Sequence, residues 1–450
     1  MSRRLPALLV CGLLLAGSVA CGGGASDGAE GPTLEVFGPY RDVEADRFVA
    51  SLAPFTEATG IEVRYTGVTD FVSDLQERVG EGNDPPDVAI VPQPGLVREL
   101  AADDALVPLD GATRAALTAT YAEEVARLGV VADEQYGVPF RASIKSLVWF
   151  RPSVLADRGW EVPTTLDALE DLVAEVEDDD DLDPWCFTME AGTATGWAAT
   201  DWVEDLVVRR AGPDAYEAWA EGDLTFASPE VTGAFAAFDA LVLARGRLAG
   251  GRGTAVQVPV ADGDEGLFAD PPRCALYKQA SYALSWMPDG TSVGPDGDVD
   301  WFALPGVDDA DVPPLVVGGD QAVQMREGPE AARLMAFLAG PDAGRPWAEA
   351  GGFLSPKATF APDAYGTDVD RELAGLLADS PVLAFDASDR MAPSVGSGLL
   401  WDDITGWVAG ALPLEELTAQ VDAARAAAAA EREGTAAVPV PSSTTTTAPG

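Results

Sequence analysis

The sequence predicts an α/β protein of two lobes around a cleft, each lobe a sheet flanked by helices, and three observations carry that expectation. Strand-like and helix-like stretches alternate three times in about 70 residues from Thr33, which argues for a parallel sheet covered by helices. The chain has 450 residues, far beyond the roughly 250–300 at which a single core stops growing. Finally, the stretch Tyr136 to Phe150, YGVPFRASIKSLVWF, is nearly unbroken extended chain with Arg141 and Lys145 inside apolar flanks. That is how a crossing between lobes would read, with its polar centre at the bottom of the cleft.

Taken in order, Thr33 to Gly38 is a short strand ending in the turn Gly38-Pro39-Tyr40. Phe48, Leu52 and Phe55 recur at helical spacing, and that helix stops near Gly60. Ile61 to Tyr65 is a second strand, followed by a helix with Phe71, Leu75 and Val79 on one face. Asp87 to Val91 is a third, followed by a helix that buries Leu96, Val97 and Leu100. Ligands of such sheets sit beyond the carboxyl ends of the strands, so Gly38, Tyr40, Thr69, Asp70, Gln93 and Pro94 are the positions to watch. Turn chemistry alone also explains Gly38 and Pro94.

After the crossing the pattern turns mostly helical. Thr164 or Thr165 caps a helix with Leu166, Leu169, Leu172 and Val173 as its buried stripe. The acidic run Glu177 to Asp181 lacks the Gly-punctuated spacing of a calcium loop and reads as a solvated connection. Trp185, Trp197 and Trp202 then fall close to Glu190, Thr193, Thr195 and Asp201. Indole faces stack on sugar rings and nearby carboxylates and hydroxyls bond ring hydroxyls, so this is saccharide-site chemistry. Core packing is the plainer account of Trp202 and Trp219, whereas Trp197 follows Gly196 at a loop-to-helix junction. Pro271 to Trp286 is a strand candidate that would bring the chain back across the hinge. Asp298 to Gly306 ends another strand, and Pro329 starts a helix that stops at Gly340. Phe385 to Trp401 reads as a cleft loop entering a helix, and the last helix runs from Pro413 to about Glu433.

Composition narrows the function. With 28 basic against 74 acidic residues, a broad phosphate-binding surface is excluded, and nucleic acid with it. No histidine is present, which removes Ser-His-Asp and Cys-His nucleophiles and most transition-metal sites. No cofactor or metal is expected. The N-terminus opens Met-Ser-Arg-Arg, and Leu5 to Ala20 is an apolar run too short to span a bilayer comfortably, so residues 1–20 read as an export signal. Ser18-Val19-Ala20-Cys21 resembles a lipoprotein cleavage box, with Ser18 where Leu is usual, making Cys21 the lipidated residue and 21–32 a flexible tether. Only Cys186 and Cys274 then remain in the body; in an oxidising compartment such a pair favours a disulfide over two free thiols.

Several segments together carry a resemblance: TGIEVRYTGVTDF, PPDVAIVPQPGLVRELAADDALVPLD, YGVPFRASIKSLVWFRPSVL, PWCFTMEAGTATGWAATDWVEDLVVR, LFADPPRCALYKQASY, GGDQAV, GGFLSPK and FDASDRMAPSVGSGLLW. In order and spacing the chain resembles the extracellular solute-binding proteins of bacterial ABC importers, in the carbohydrate-binding, maltose-binding-protein-like group, and most nearly its alpha-glucoside-binding members. The resemblance implies the two-lobed periplasmic-binding-protein fold, a sugar held between the lobes, and closure that delivers it to a permease. It implies ligand-binding roles for Gly38, Tyr40, Thr69, Asp70 and Gln93 in the first lobe, Lys145 at the hinge, Glu190, Trp197, Asp389, Arg390, Met391 and Trp401 in the second, and Gly319 and Asp320 on the returning segment. It also implies that Cys186 and Cys274 face each other. Residues 33–140 and 287–340 would form lobe 1, 141–286 and 341–430 lobe 2, and 431–450 a disordered tail.

The expected protein is thus a monomer held by a lipid anchor on the outer face of the bacterial membrane, with a carbohydrate and ABC permease subunits as partners. A polyamine binder is an alternative of another ligand class. A secreted glycosidase would need two carboxylates about 5–10 Å apart across the bond, and no pair stands out in the sequence.

Overall fold

The computed structural model describes residues 31–80, 84–309 and 312–436, with side chains to 430. The expected signal, Cys21, most of the tether and the end of the tail lie outside these residues. Ten strands of three or more residues are described: β1 Thr33–Gly38, β2 Glu62–Gly67, β3 Val88–Val91, β4 Gly137–Ile144, β5 Leu147–Phe150, β6 Asp183–Cys186, β7 Cys274–Lys278, β8 Asp300–Ala303, β9 Leu315–Gln324 and β10 Leu383–Phe385. They form two sheets. In the first, β1 is flanked by parallel β2 and β3, and β9 runs antiparallel to β3 and β4 and parallel to β10. The second has the order β8-β5-β7-β6. Helices cover both, so the fold is the two-lobed α/β arrangement that the sequence predicts.

The Tyr136 to Phe150 stretch does cross between the lobes, but as two strands. β4 belongs to the first sheet and β5 to the second, and the chain changes sheet at Lys145-Ser146. Ser146 Oγ accepts from Val316 N at 2.7 Å and its carbonyl accepts from Leu304 N at 2.8 Å, so one serine ties the crossing to both neighbouring segments.

Elsewhere the structure redraws the segments. The single helix expected before Gly60 is two, Asp42–Ser51 and Ala53–Thr59. Pro54 has no N–H for the ladder, so the helix restarts at Leu52. The expected return strand at Pro271 to Trp286 stops at Lys278, whose ammonium pairs with Asp205 at 2.8 Å in the second lobe; a 3-10 turn, Ser281–Ser285, carries the chain onward. Residues 300–303, expected in lobe 1, pair with β5 in the second sheet, with Trp301 opposite Trp149. Residues 141–144, expected in lobe 2, stay in the first sheet through β4.

The first half of the stretch expected to reopen lobe 2 belongs to lobe 1 instead. Trp347, Phe353, Phe360 and Leu373 join the core of Phe48 and Phe140. Edge-to-face rings explain the attachment: Phe140 meets Phe353 with centroids 5.4 Å apart, and Tyr40 meets Trp347 at 5.1 Å. Lobe 2 resumes only after β10, near Asp386.

Sequence-level stops and starts are satisfied locally. Thr165 Oγ1 accepts from Ala168 N at 3.1 Å and caps the helix Leu166–Glu177, whose Leu166, Leu169, Leu172 and Val173 are buried. Among the described residues no helix is long and apolar enough to cross a membrane.

Cys186 at the end of β6 and Cys274 at the start of β7 are joined by a disulfide, with Cα atoms 5.5 Å apart and a sequence separation of 88. Gly266 packs on the bond, leaving no room there for a side chain. Closing so long a loop restricts the unfolded chain, by up to about 4.6 kcal/mol on a loop-entropy basis. Reduction, or a Cys186→Ser/Cys274→Ser double change, is therefore expected to lower stability by about 2–4 kcal/mol in urea titrations; unchanged midpoints would show that the bond constrains nothing.

Candidate functional site

Between the lobes lies a cavity of about 1080 Å³, at the upper end of the roughly 300–1,000 Å³ usual for small-molecule sites. Its floor is the crossing. Lys145 is buried and its ammonium reaches Asp386 Oδ2 at 2.8 Å and Asp201 Oδ1 at 3.0 Å, so the hinge strand is tied to the helix Trp197–Arg210 and to the short turn Ala387–Arg390. Burial disfavours the ammonium, but the two carboxylates outweigh it and hold its pKa well above the usual lysine range. Besides the lysine, Asp386 accepts from two donors of the same turn, Ser388 Oγ at 2.8 Å and Asp389 N at 2.9 Å, and burial is outweighed so that its pKa lies below the ordinary value. Asp201 accepts from the Lys145 ammonium at 3.0 Å, and burial pushes it up to about 7.

The same floor carries Glu204, which accepts from Ser388 N at 3.0 Å, and Asp389, which faces the cavity. Burial, then the charge of Asp386, raises both well above the carboxylate range. Asp201, Glu204 and Asp386 lie close enough to share a cation. The Lys145 ammonium already sits against two of them, so the protein supplies that charge itself.

A second buried ion pair lines the first lobe. Arg141 meets Glu44 at 2.7 Å and stacks 4.7 Å from the centroid of Trp347, and Tyr40 donates to Asp320 at 2.7 Å. Burial disfavours the Arg141 charge, and Glu44, Tyr40 and Asp320 together reverse the effect.

The second lobe contributes indole. Trp197 stands at the first position of its helix, half-buried, with the Lys145 ammonium 5.2 Å from its ring centroid. Gly196 precedes it with φ +123°, and a side chain there would run into the Trp401 carbonyl. Only glycine fits both constraints, so the start of the Trp197 helix can pack against the Trp401 backbone, and both tryptophans line the cavity. Tyr282 meets Trp197 edge to face at 6.3 Å and Trp286 at 5.3 Å, extending the aromatic wall across the 3-10 turn.

Ten of the expected ligand residues line the cavity: Tyr40, Thr69, Gln93, Lys145, Glu190, Trp197, Gly319, Asp320, Asp389 and Trp401. Four stand apart. Gly38 lies in β1 under the Tyr65 hydroxyl, one residue behind the wall. Arg390 leaves its turn on the side away from Asp389 and pairs with Glu217 at 2.9 Å and with Glu221. Met391 is buried in the second-lobe core. The Asp70 carboxylate is used by Thr193, at 2.8 and 3.1 Å, across the mouth of the cleft. Conversely, Tyr282 and Trp286 line the cavity without having been singled out. Their four-residue spacing in YALSW was legible, but it sat in a stretch read as strand.

Glu204 and Asp389 keep protons in the folded state that an unfolded chain releases above its ordinary value, 4.5 for the glutamate. The folded form therefore binds more protons, and these groups make stability fall as pH rises from about 4.5 through their raised values, at about 1.4 kcal/mol per pH unit per proton. Glu204→Gln copies the protonated shape. Its urea-derived stability is expected to fall less steeply than that of the parent between pH 5 and 8, and parallel slopes would show that Glu204 is ionised when folded.

A family model described as bacterial extracellular solute-binding protein matches residues 41–345. Among relatives, the osmoprotective compounds-binding protein GgtB of Synechocystis sp. is 37% identical over 379 residues, covering 84% of this chain and 89% of its own. The alpha-glucosides-binding periplasmic protein AglE of Rhizobium meliloti is 33% identical over 390 residues, covering 85% and 84%. Of solved structures, the bacterial solute receptor AcbH, described as preferring β-D-galactopyranose exclusively, superposes with TM-score 0.74 at 18% identity over 89% of this chain and 99% of that one. Maltose-bound MalE3 of T. maritima gives 0.68 at 16% identity over 88% and 99%. Both structural likenesses show the fold alone, while the family match and the two relatives together span most of the chain. The chain therefore belongs to the bacterial extracellular solute-binding proteins, as its resemblance to the receptors of ABC importers implied.

Proposed function

We propose that this protein captures a neutral carbohydrate, an alpha-glucoside or short oligosaccharide, by closing its lobes around it, and delivers the sugar to an ABC permease from a lipid anchor at Cys21 as a monomer. One observation carries the ligand class: the cavity pairs indole and phenol rings of Trp197, Tyr282, Trp286 and Trp401 with the polar groups of Gln93, Glu190, Asp320 and Asp389. Aromatic faces serve the C–H faces of a pyranose, and carboxylates and amides serve its hydroxyls. The cations at the cavity floor and side, Lys145 and Arg141, are already paired, so an anionic ligand would find no free charge there. AglE is named for alpha-glucosides, which supports the same choice.

Closure supplies the mechanism. Tyr40, Gln93 and Asp320 reach the cavity from the first lobe and Trp197, Glu190 and Asp389 from the second, so a ligand gains the full set of contacts only when the lobes are shut. No bond is made or broken, in keeping with relatives that bind solutes.

A thermal-shift panel of mono- and disaccharides, with spermidine as the cationic arm, tests the class, since a ligand that binds only the folded form raises its melting temperature. Neutral glucosides are expected to shift the melt; a shift with spermidine alone would overturn the reading. Trp197→Ala is expected to weaken the best sugar about tenfold, since stacking is worth on the order of 1 kcal/mol or more. An unchanged dissociation constant would remove Trp197 from the site.

A further inference from the structure

Asp70 was expected to touch the ligand, and the structure gives its carboxylate another partner. It follows β2 immediately before the helix Phe71–Gly80, and its carbonyl accepts from Asp74 N and Ser73 Oγ, both at 3.0 Å, so the residue is fixed to the first lobe by the start of that helix. Its Oδ1 reaches over the cleft mouth to the second lobe and accepts from Thr193 N at 3.1 Å and Thr193 Oγ1 at 2.8 Å. The receiving loop is stitched in place. Gly192 N donates to Glu190 Oε1 at 2.9 Å, Ala191 N donates to Thr195 Oγ1 at 2.9 Å, and Thr195 Oγ1 donates to Gly192 O at 2.7 Å. Gly192 has φ +61°, and a Cβ there would come within 2.9 Å of Asp70 Oδ1, so the approach of the two lobes depends on glycine at that point.

We propose that Asp70 and Thr193 form a latch across the cavity mouth that holds the lobes shut, so that Asp70 governs how long a ligand is retained without touching it. The loop that receives Asp70 runs four residues on into Trp197, and its Thr195 carbonyl accepts from Thr405 Oγ1 at 3.3 Å beside Trp401. The latch thus bears on the loop that sets both indoles. Two charge-assisted bonds at a partly exposed site amount to about a three- to tenfold bias toward closure. The Thr193 hydroxyl and then its amide lower the pKa of Asp70, in keeping with bonds made to the ionised carboxylate. Asp70 is a positioning residue in this account.

The test uses the full chain in two arms. Small-angle X-ray scattering without ligand reads lobe opening directly. Asp70→Ala is expected to shift the ensemble toward a larger radius of gyration, Asp70→Asn to fall between it and the parent, and Asp70→Ala/Thr193→Ala to open no further than Asp70→Ala. Glu77→Ala, an exposed charge change on the same helix, is expected to leave the curve unchanged. Stopped-flow tryptophan fluorescence with maltose is the second arm, and it alone rests on the sugar-binding reading. There Asp70→Ala is expected to raise the dissociation rate about three- to tenfold with the association rate nearly unchanged. An Asp70→Ala scattering curve identical to that of the parent overturns the latch, whatever happens to maltose. Loss of maltose affinity with an unchanged ligand-free curve would make Asp70 a ligand contact. Failure of maltose to bind the parent would count against the sugar reading while the scattering arm still decides the latch.

Discussion

The architecture turns on one buried lysine. Lys145 occupies the step where the chain leaves the first sheet for the second, its backbone N donating to Val316 O at 2.8 Å in β9 while its side chain holds Asp201 and Asp386 of the second lobe. Burying an ammonium costs several kcal/mol unless it is matched by charge and hydrogen bonds, and here two carboxylates from separate segments supply the match. The result is a cleft floor that is rigid and polar. It is also nearly charge-compensated, because Lys278 and Arg209 pair with Asp205 close by. A floor that satisfies its own charges leaves the walls to select the ligand.

The walls divide the work by lobe. Tyr40 and Gln93 present hydroxyl and amide groups from just past strand ends, where side chains of an open α/β sheet converge, and Asp320 presents a carboxylate from the middle of β9. Trp197, Trp401, Tyr282 and Trp286 present flat apolar surface from helix starts and turns. Asp389 joins them as a buried carboxyl whose proton is retained by burial and by the neighbouring Asp386 charge, so it can both donate to and accept from a sugar hydroxyl. A chain with 74 acidic residues against 28 basic ones surrounds this site without setting its polarity, since the cavity holds paired cations as well as acids.

Much of the fold was legible because its signals are local. The spacing of Val36, Val88 and Ile90 as strand residues, the Thr165 cap and the polar break inside an apolar crossing each rest on neighbours in sequence. What escaped was set by distant partners. Nothing near Trp347 or Phe353 announces that their rings belong with Phe48 and Phe140, some 200–300 residues earlier, so that segment was expected in the wrong lobe. Trp301 joins the second sheet because Trp149 stands opposite it in register. The cavity shows the same pattern. Residues expected at strand ends, such as Tyr40 and Gln93, line it. Within Asp389-Arg390-Met391 a single turn of helix sends one side chain inward, one to Glu217 and one into the core, a division that no linear motif displays.

The central claim is that an intact neutral sugar sits between the lobes against these indoles. Equilibrium binding followed by tryptophan emission, with the sugar analysed afterwards, tests it most directly. A saturable change at one sugar per chain, with the saccharide recovered unaltered, is what the account predicts. Emission indifferent to every neutral glucoside, or a sugar returned cleaved, would contradict it.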